Sequence, residues 1–158
     1  MSEPRPLEVQ DVSRRFGRIW AVRKVSMAVL PGTITVLTGH NGSGKSTLLR
    51  LMAGALRPTE GQVVAWGEDV HGGSSVAGRR IAWLDHRPAL YPDLTGRENL
   101  DFWRALTGQD VAGEKLEHAL ETVGLTSVAH RRVAGYSRGM VQRLGLANVL
   151  LREADVWL

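Results

Sequence analysis

The residues best equipped for chemistry stand in one short run, Gly39-His40-Asn41-Gly42-Ser43-Gly44-Lys45-Ser46-Thr47. Its pattern, GxxxxGK followed by Ser, suits the capture of a polyphosphate. Glycines let the backbone turn tightly and bring its N–H groups to one centre, and a helix starting there adds its positive dipole end. Lys45 supplies a point charge for the β- and γ-phosphates of a nucleotide, the Ser46 hydroxyl is placed to ligate Mg2+, and Thr47 reaches a neighbouring phosphate oxygen. At ordinary residue frequencies such a pattern arises by chance in a chain this long on the order of one time in a hundred. The flanking elements therefore decide between a nucleotide site and a glycine-rich turn.

Those elements read in the order the motif requires. Residues 33–38, TITVLT, are rich in β-branched side chains and predict a buried strand running into the loop. After the loop, Leu48, Leu49, Leu51, Met52 and Leu56 recur at helical spacing and predict a helix over 46–56. Upstream, Leu7, Val9 and Asp11 alternate with Glu8, Gln10 and Val12 as a first strand, and 25–30 reads as a second, closed by the turn Pro31-Gly32. Downstream, 61–66 and 81–84 are short strands separated by a loop at 71–75.

The character then turns helical. Thr95-Gly96-Arg97-Glu98 matches a capping box, followed by Leu100, Trp103 and Leu106 on one face. A second helix is predicted over 114–123, with Leu116, Ala119, Leu120 and Val123 on its apolar face and Gly124 as its stop. A third covers 139–151, and Val156-Trp157-Leu158 reads as the start of a further buried strand, which suggests a truncated sequence.

Composition narrows the class. With 158 residues, 43% apolar and 23% charged, the chain fits one globular domain and excludes collagen, coiled coil and wholesale disorder. No cysteine is present, which removes disulfides and thiolate chemistry and fits a reducing cytosol. No export signal is read at the N-terminus, and no run approaches the roughly 20 apolar residues that span a bilayer. A membrane role would have to come through a partner. The formal charge of +4 includes Arg pairs at 14–15, 79–80 and 131–132, which read as solvated surface, so no nucleic-acid partner is expected.

Several ordered features make the chain resemble an ATP-binding cassette (ABC) ATPase domain. The loop reads GHNGSGKSTLL, similar to the family's GxNGxGKSTLL; Leu94-Thr95-Gly96-Arg97-Glu98-Asn99-Leu100 resembles its LTxxENL; and VAGYSRGMVQRLGLANVLL resembles its LSGGQ signature and following helix. The resemblance spans essentially all of the sequence. It implies an α/β fold, a P-loop NTPase with an N-terminal antiparallel β region and RecA-like core over about 1–87 and a helical subdomain over about 88–150. Residues 151–158 would begin the Walker B strand.

The same resemblance assigns roles. Phe16 would stack on adenine, the alternative being ordinary core packing, with Trp20 as another available face. Ser137, Arg138, Gly139 and Met140 would form a signature loop touching the ATP held by a second ABC ATPase subunit. Here Tyr136, Arg138 and Met140 depart from the family's Leu, Gly and Gln, and Ser137 could also be a plain helix cap. His86 stands where the family has a Gln that touches Mg2+ and senses the membrane subunit. A neutral imidazole can bind a metal or a water but presents no amide oxygen. The Walker B Asp, the catalytic Glu and the switch His would follow Leu158 in the family pattern, so weak nucleotide binding and poor hydrolysis are expected of these residues alone.

The implied function is ATP hydrolysis driving transport, most similar to exporter-type subunits such as those of cytochrome c maturation, with ATP and Mg2+ as cofactors. The implied place is the cytoplasmic face of a membrane, peripherally, through a separate transmembrane subunit. A soluble ABC ATPase acting on nucleic acid or ribosomes, and an inactive nucleotide-binding fragment, remain alternatives.

Overall fold

Alternation of apolar and polar residues gives the chain its first structure, a long two-stranded hairpin. In the computed structural model, which describes residues 5–72, 80–107, 113–152 and 154–158, β1 (Leu7–Phe16) pairs antiparallel with β2 (Ile19–Val29). β3 (Glu60–Ala65) lies on the other edge of β1, and β4 (Glu68–Asp69) on β3, giving the order β2-β1-β3-β4. β5 (Ile81–Ala82) and β6 (Val156–Trp157) form a separate parallel pair. The helices are α1 (Lys45–Met52), α2 (Gly96–Thr107), α3 (Gly113–Thr122) and α4 (Arg138–Leu150).

The chain divides into two compact units, one of Met1–Ala82 with Ala154–Leu158, the other of Trp83–Glu153. The first buries Leu7, Val9, Val12, Leu51 and Val63 between the antiparallel sheet and α1. The second buries a leucine core, Leu100, Leu116, Leu120, Leu125 and Leu144, where α2, α3 and α4 meet. Its fully buried polar residue, Asn99, ties the start of α2 to the preceding segment. The Asn99 amide oxygen accepts from Tyr91 N at 2.7 Å, and its amide nitrogen donates to Tyr91 O, Leu94 O and Thr95 O at 2.9, 3.4 and 3.0 Å.

Several expectations change. The strand expected over 33–38 does not form: no described strand pairs with it, and Ile34 is 94% exposed. β-branched residues favour a strand only where a neighbouring edge supplies hydrogen bonds. Here the run borders an open cleft of about 540 Å3, with Trp157 and Leu158 among its other lining residues. α1 ends at Met52 and not at Leu56, and β5 stops at Ala82 before Trp83. β2 begins well ahead of Val25.

The alternation expected for β1 breaks at Asp11, whose φ of 48° and shifted register mark a bulge. The extra residue moves Val12 and Ser13 to the buried side and leaves Asp11 exposed, its N–H on the Ser26 hydroxyl. In α2, Leu100 is buried but Leu106, placed on the same predicted stripe, is 64% exposed. Residues 73–75 of the expected loop, and Arg79, lie outside the described residues.

Candidate phosphate-binding site

Gly44 decides how the loop meets the helix. It has φ 91°, a left-handed conformation, and a Cβ there would run into the Ala21 carbonyl oxygen on β2. Only a glycine lets the loop lie this close to the sheet. The helical turn starts at once, with Leu48 N donating to Gly44 O at 2.8 Å, and no side chain caps α1. Its first N–H groups have no partner within the helix, which makes the helix start an anion site when the loop before it also turns its amides inward.

Lys45 closes this loop from within. Its ammonium donates to Gly39 O at 2.7 Å and His40 O at 2.8 Å, and reaches Ser43 Oγ at 3.4 Å. Ser43 N donates to His40 O at 3.2 Å, and His40 Nδ1 lies 2.8 Å from Asn41 O. The structure thus gathers Gly39, His40, Asn41, Gly42, Ser43, Gly44 and Lys45 into one solvent-facing turn, with Ser46 exposed and Thr47 half-buried in the first turn of α1. Among the described residues no group of three or more His, Asp or Glu could hold a metal ion. An ion here would have to arrive with phosphate oxygens and add Ser46, a donor set that suits Mg2+.

The contact of Gly44 with Ala21 also brings the end of the β1–β2 hairpin beside the loop. Phe16 pairs with Ile19 across the turn and is 49% exposed, so it is not a core residue. The Arg14 guanidinium lies over the Phe16 ring, 4.7 Å from its centroid, and Arg15 lies over Trp20 at 5.5 Å. The sequence reading placed both arginines on the solvated surface and did not connect them with Phe16 or Trp20. The available signal was the spacing of Arg14 and Phe16 two residues apart on a strand, which puts them on one face.

The remaining candidates belong to the second unit. Ser137 caps α4, its hydroxyl oxygen accepting from Met140 N at 3.2 Å, with Arg138, Gly139 and Met140 forming the first turn. The plain cap is therefore present, and the hydroxyl hydrogen remains able to donate elsewhere. His86 is exposed, 69% for its side chain, and its Nδ1 lies 2.5 Å from Asp85 Oδ1. The Gln142 amide of α4 donates to the His86 carbonyl, and Pro88 packs on α4 at Gly145, where a side chain would collide with it. The His86 segment and the helix after the signature are thus joined, a link that neither motif revealed alone.

Comparison with known proteins matches residues 22–158 to the ABC transporter family. The chain is 39% identical over 154 residues to the cytochrome c biogenesis ATP-binding export protein CcmA of Rhizobium johnstonii, covering 96% of this chain and 71% of that protein. It is 34% identical to the Fe(3+) ions import ATP-binding protein FbpC of Brucella suis, covering 98% of this chain and 44% of that one. Among solved structures, an ATP-binding subunit of an ABC transporter superposes with a TM-score of 0.82 at 26% identity, over 96% of this chain and 64% of that one. CbiO1 from Clostridium perfringens, described as part of the ABC transporter complex cbiONQ, shares the fold with a TM-score of 0.74 at 23% identity, over 98% and 64%. The chain thus spans less than two thirds of most of these relatives.

Proposed function

Because the chain belongs to the ABC transporter family of ATP-binding proteins, we propose that it binds and hydrolyses ATP to drive a substrate through a separate membrane subunit, in the export direction. The observation that carries this reading is the turn at residues 39–45, where Lys45 is held on two loop carbonyls next to a helix start that no side chain caps. Higher identity to a protein named for export than to one named for import favours the direction. Among the described residues no helix is long and apolar enough to cross a membrane; in this reading a separate subunit spans it and the chain sits peripherally on the cytoplasmic face.

Each residue has a definite task in this reading. The loop amides and the N–H groups at the start of α1 hold the phosphate chain by charge-assisted hydrogen bonds. Lys45 turns one of its three donors from the loop carbonyls to the terminal phosphates. Ser46 would hold Mg2+, which neutralises phosphate charge as it develops. Phe16, exposed at the turn of the hairpin whose Ala21 meets Gly44, takes the base. Ser137, Arg138, Gly139 and Met140 serve the ATP of a second ABC ATPase subunit, Ser137 donating its hydroxyl hydrogen while its oxygen caps α4. His86, paired with Asp85 and linked to Gln142, transmits the state of the site to the membrane subunit.

The test is Lys45→Ala. ATP affinity measured by calorimetry is expected to fall at least about tenfold, equivalent to ~1.4 kcal/mol, with the thermal midpoint unchanged. Undiminished affinity would overturn the assignment.

A further inference from the structure

We infer that Arg14 is a positioning residue that holds the Phe16 ring ready for a nucleobase. The inference rests on the reading of Phe16 as the base-stacking face and extends it to a residue outside the motifs. Arg14 and Phe16 sit two apart on β1, and the guanidinium covers one face of the ring at 4.7 Å from its centroid. That guanidinium is not free to drift. Its Nη1 donates to Arg57 O at 3.0 Å, in the segment that follows α1, and two further hydrogen bonds fasten the same stretch: Arg15 N to Thr59 Oγ1 at 3.1 Å and Thr59 N to Ser13 O at 2.8 Å.

The Arg14 Nε is buried and has no hydrogen-bond acceptor. An N–H left in that state is costly, and the π face of Phe16 beside it is the compensating partner the structure offers. The guanidinium thus covers one face of the ring, while Phe16 as a whole remains 49% exposed. A base arriving on the other face meets a ring whose orientation is already set, so less freedom is lost on binding. The chain reaching Arg57 descends directly from the phosphate loop through α1. One anchor therefore ties the ring to the helix that would hold the phosphates. Arg14 acts on the base through Phe16 and makes no contact with phosphate.

The experiment compares ATP with inorganic tripolyphosphate, which has the phosphates and no base, by calorimetry on the full chain. Arg14→Ala is expected to weaken ATP binding about three- to tenfold while leaving tripolyphosphate unchanged. Arg14→Gln, which can still donate to Arg57 O but carries no charge, is expected to do the same and guards against an Arg14→Ala chain that fails to fold. In a Phe16→Ala background, Arg14→Ala should have no further effect. Equal weakening of both ligands, full additivity with Phe16→Ala, or unchanged ATP affinity would overturn the inference. If Phe16→Ala weakens ATP and neither Arg14 variant does, the inference alone is lost. If Phe16→Ala has no effect while Lys45→Ala does, the reading of Phe16 falls and takes the inference with it.

Discussion

The start of α1 in the first unit and those of α2 and α4 in the second are handled in opposite ways. At α2 and α4, side chains take up open N–H groups. Glu98 N donates to Thr95 Oγ1 at 3.2 Å and Thr95 N to Glu98 Oε2 at 2.8 Å at the start of α2, and Ser137 caps α4. In the first unit, α1 begins on a glycine with no side chain to offer, and the ammonium of Lys45 turns to the loop carbonyls. Capping satisfies a helix and contributes to stability. An uncapped start costs stability and leaves donors for a ligand. The lesson is that the side chains at the starts of α2 and α4 serve folding first, whereas the start of α1 is left without a side-chain cap.

That contrast breaks if polar substitutions in the second unit alter nucleotide binding as much as folding. The largest effect is expected from Asn99→Ala. It would leave Tyr91 N without its acceptor and remove a second donor from the Tyr91, Leu94 and Thr95 carbonyls, and should lower the free energy of unfolding in urea by about 2 kcal/mol. ATP affinity of the folded fraction should stay within about twofold, well under 1 kcal/mol. A smaller loss, about 1 kcal/mol, is expected for Ser137→Ala from removal of the cap. Asp at the same position keeps the cap and should restore stability, so the Ala and Asp variants together separate capping from any further use of the hydroxyl.

The smallest effect is a pH dependence in the first unit. His71 is buried with Nε2 3.1 Å from Leu51 O, near the end of α1. Burial holds its imidazole below the usual value of 6.5; the Arg57 charge pushes the same way, and Asp69 and the Leu51 carbonyl push against it. The unfolded chain then takes up the proton at a higher pH than the folded chain. Stability is full above the ordinary imidazole value and declines as pH falls below it. Urea midpoints at pH 8 and pH 5.5 should differ more for the parent chain than for His71→Gln, which cannot titrate. Equal differences would remove His71 from the account. Glu98, held below its usual carboxylate value chiefly by the Thr95 N–H, stays ionised over this range and does not confuse the reading.

What could be read from the sequence followed a physical divide. The glycine loop, the Thr95 and Glu98 capping box and the apolar face of α3 depend on residues close in sequence, and all three formed as expected. The bulge at Asp11 was not visible, because a bulge depends on which residues face it across the ladder. Residues 33–38 have the propensity of a strand but pair with no strand among the described residues, so composition misled there. In the site, the loop was legible from spacing, but Arg14 gains meaning only once β1 sets it over Phe16 and Arg57 comes alongside. The link from Gln142 to His86 joins residues 56 apart, beyond the reach of any local pattern.

The most direct measurement is the response of backbone amides to Mg-ATP by two-dimensional NMR. The account expects the largest shifts at Gly42, Gly44, Lys45 and Ser46, with the capped helix starts at Gly96 and Arg138 little changed in a monomeric sample. Shifts concentrated at those capped starts, or no response around α1, would contradict it.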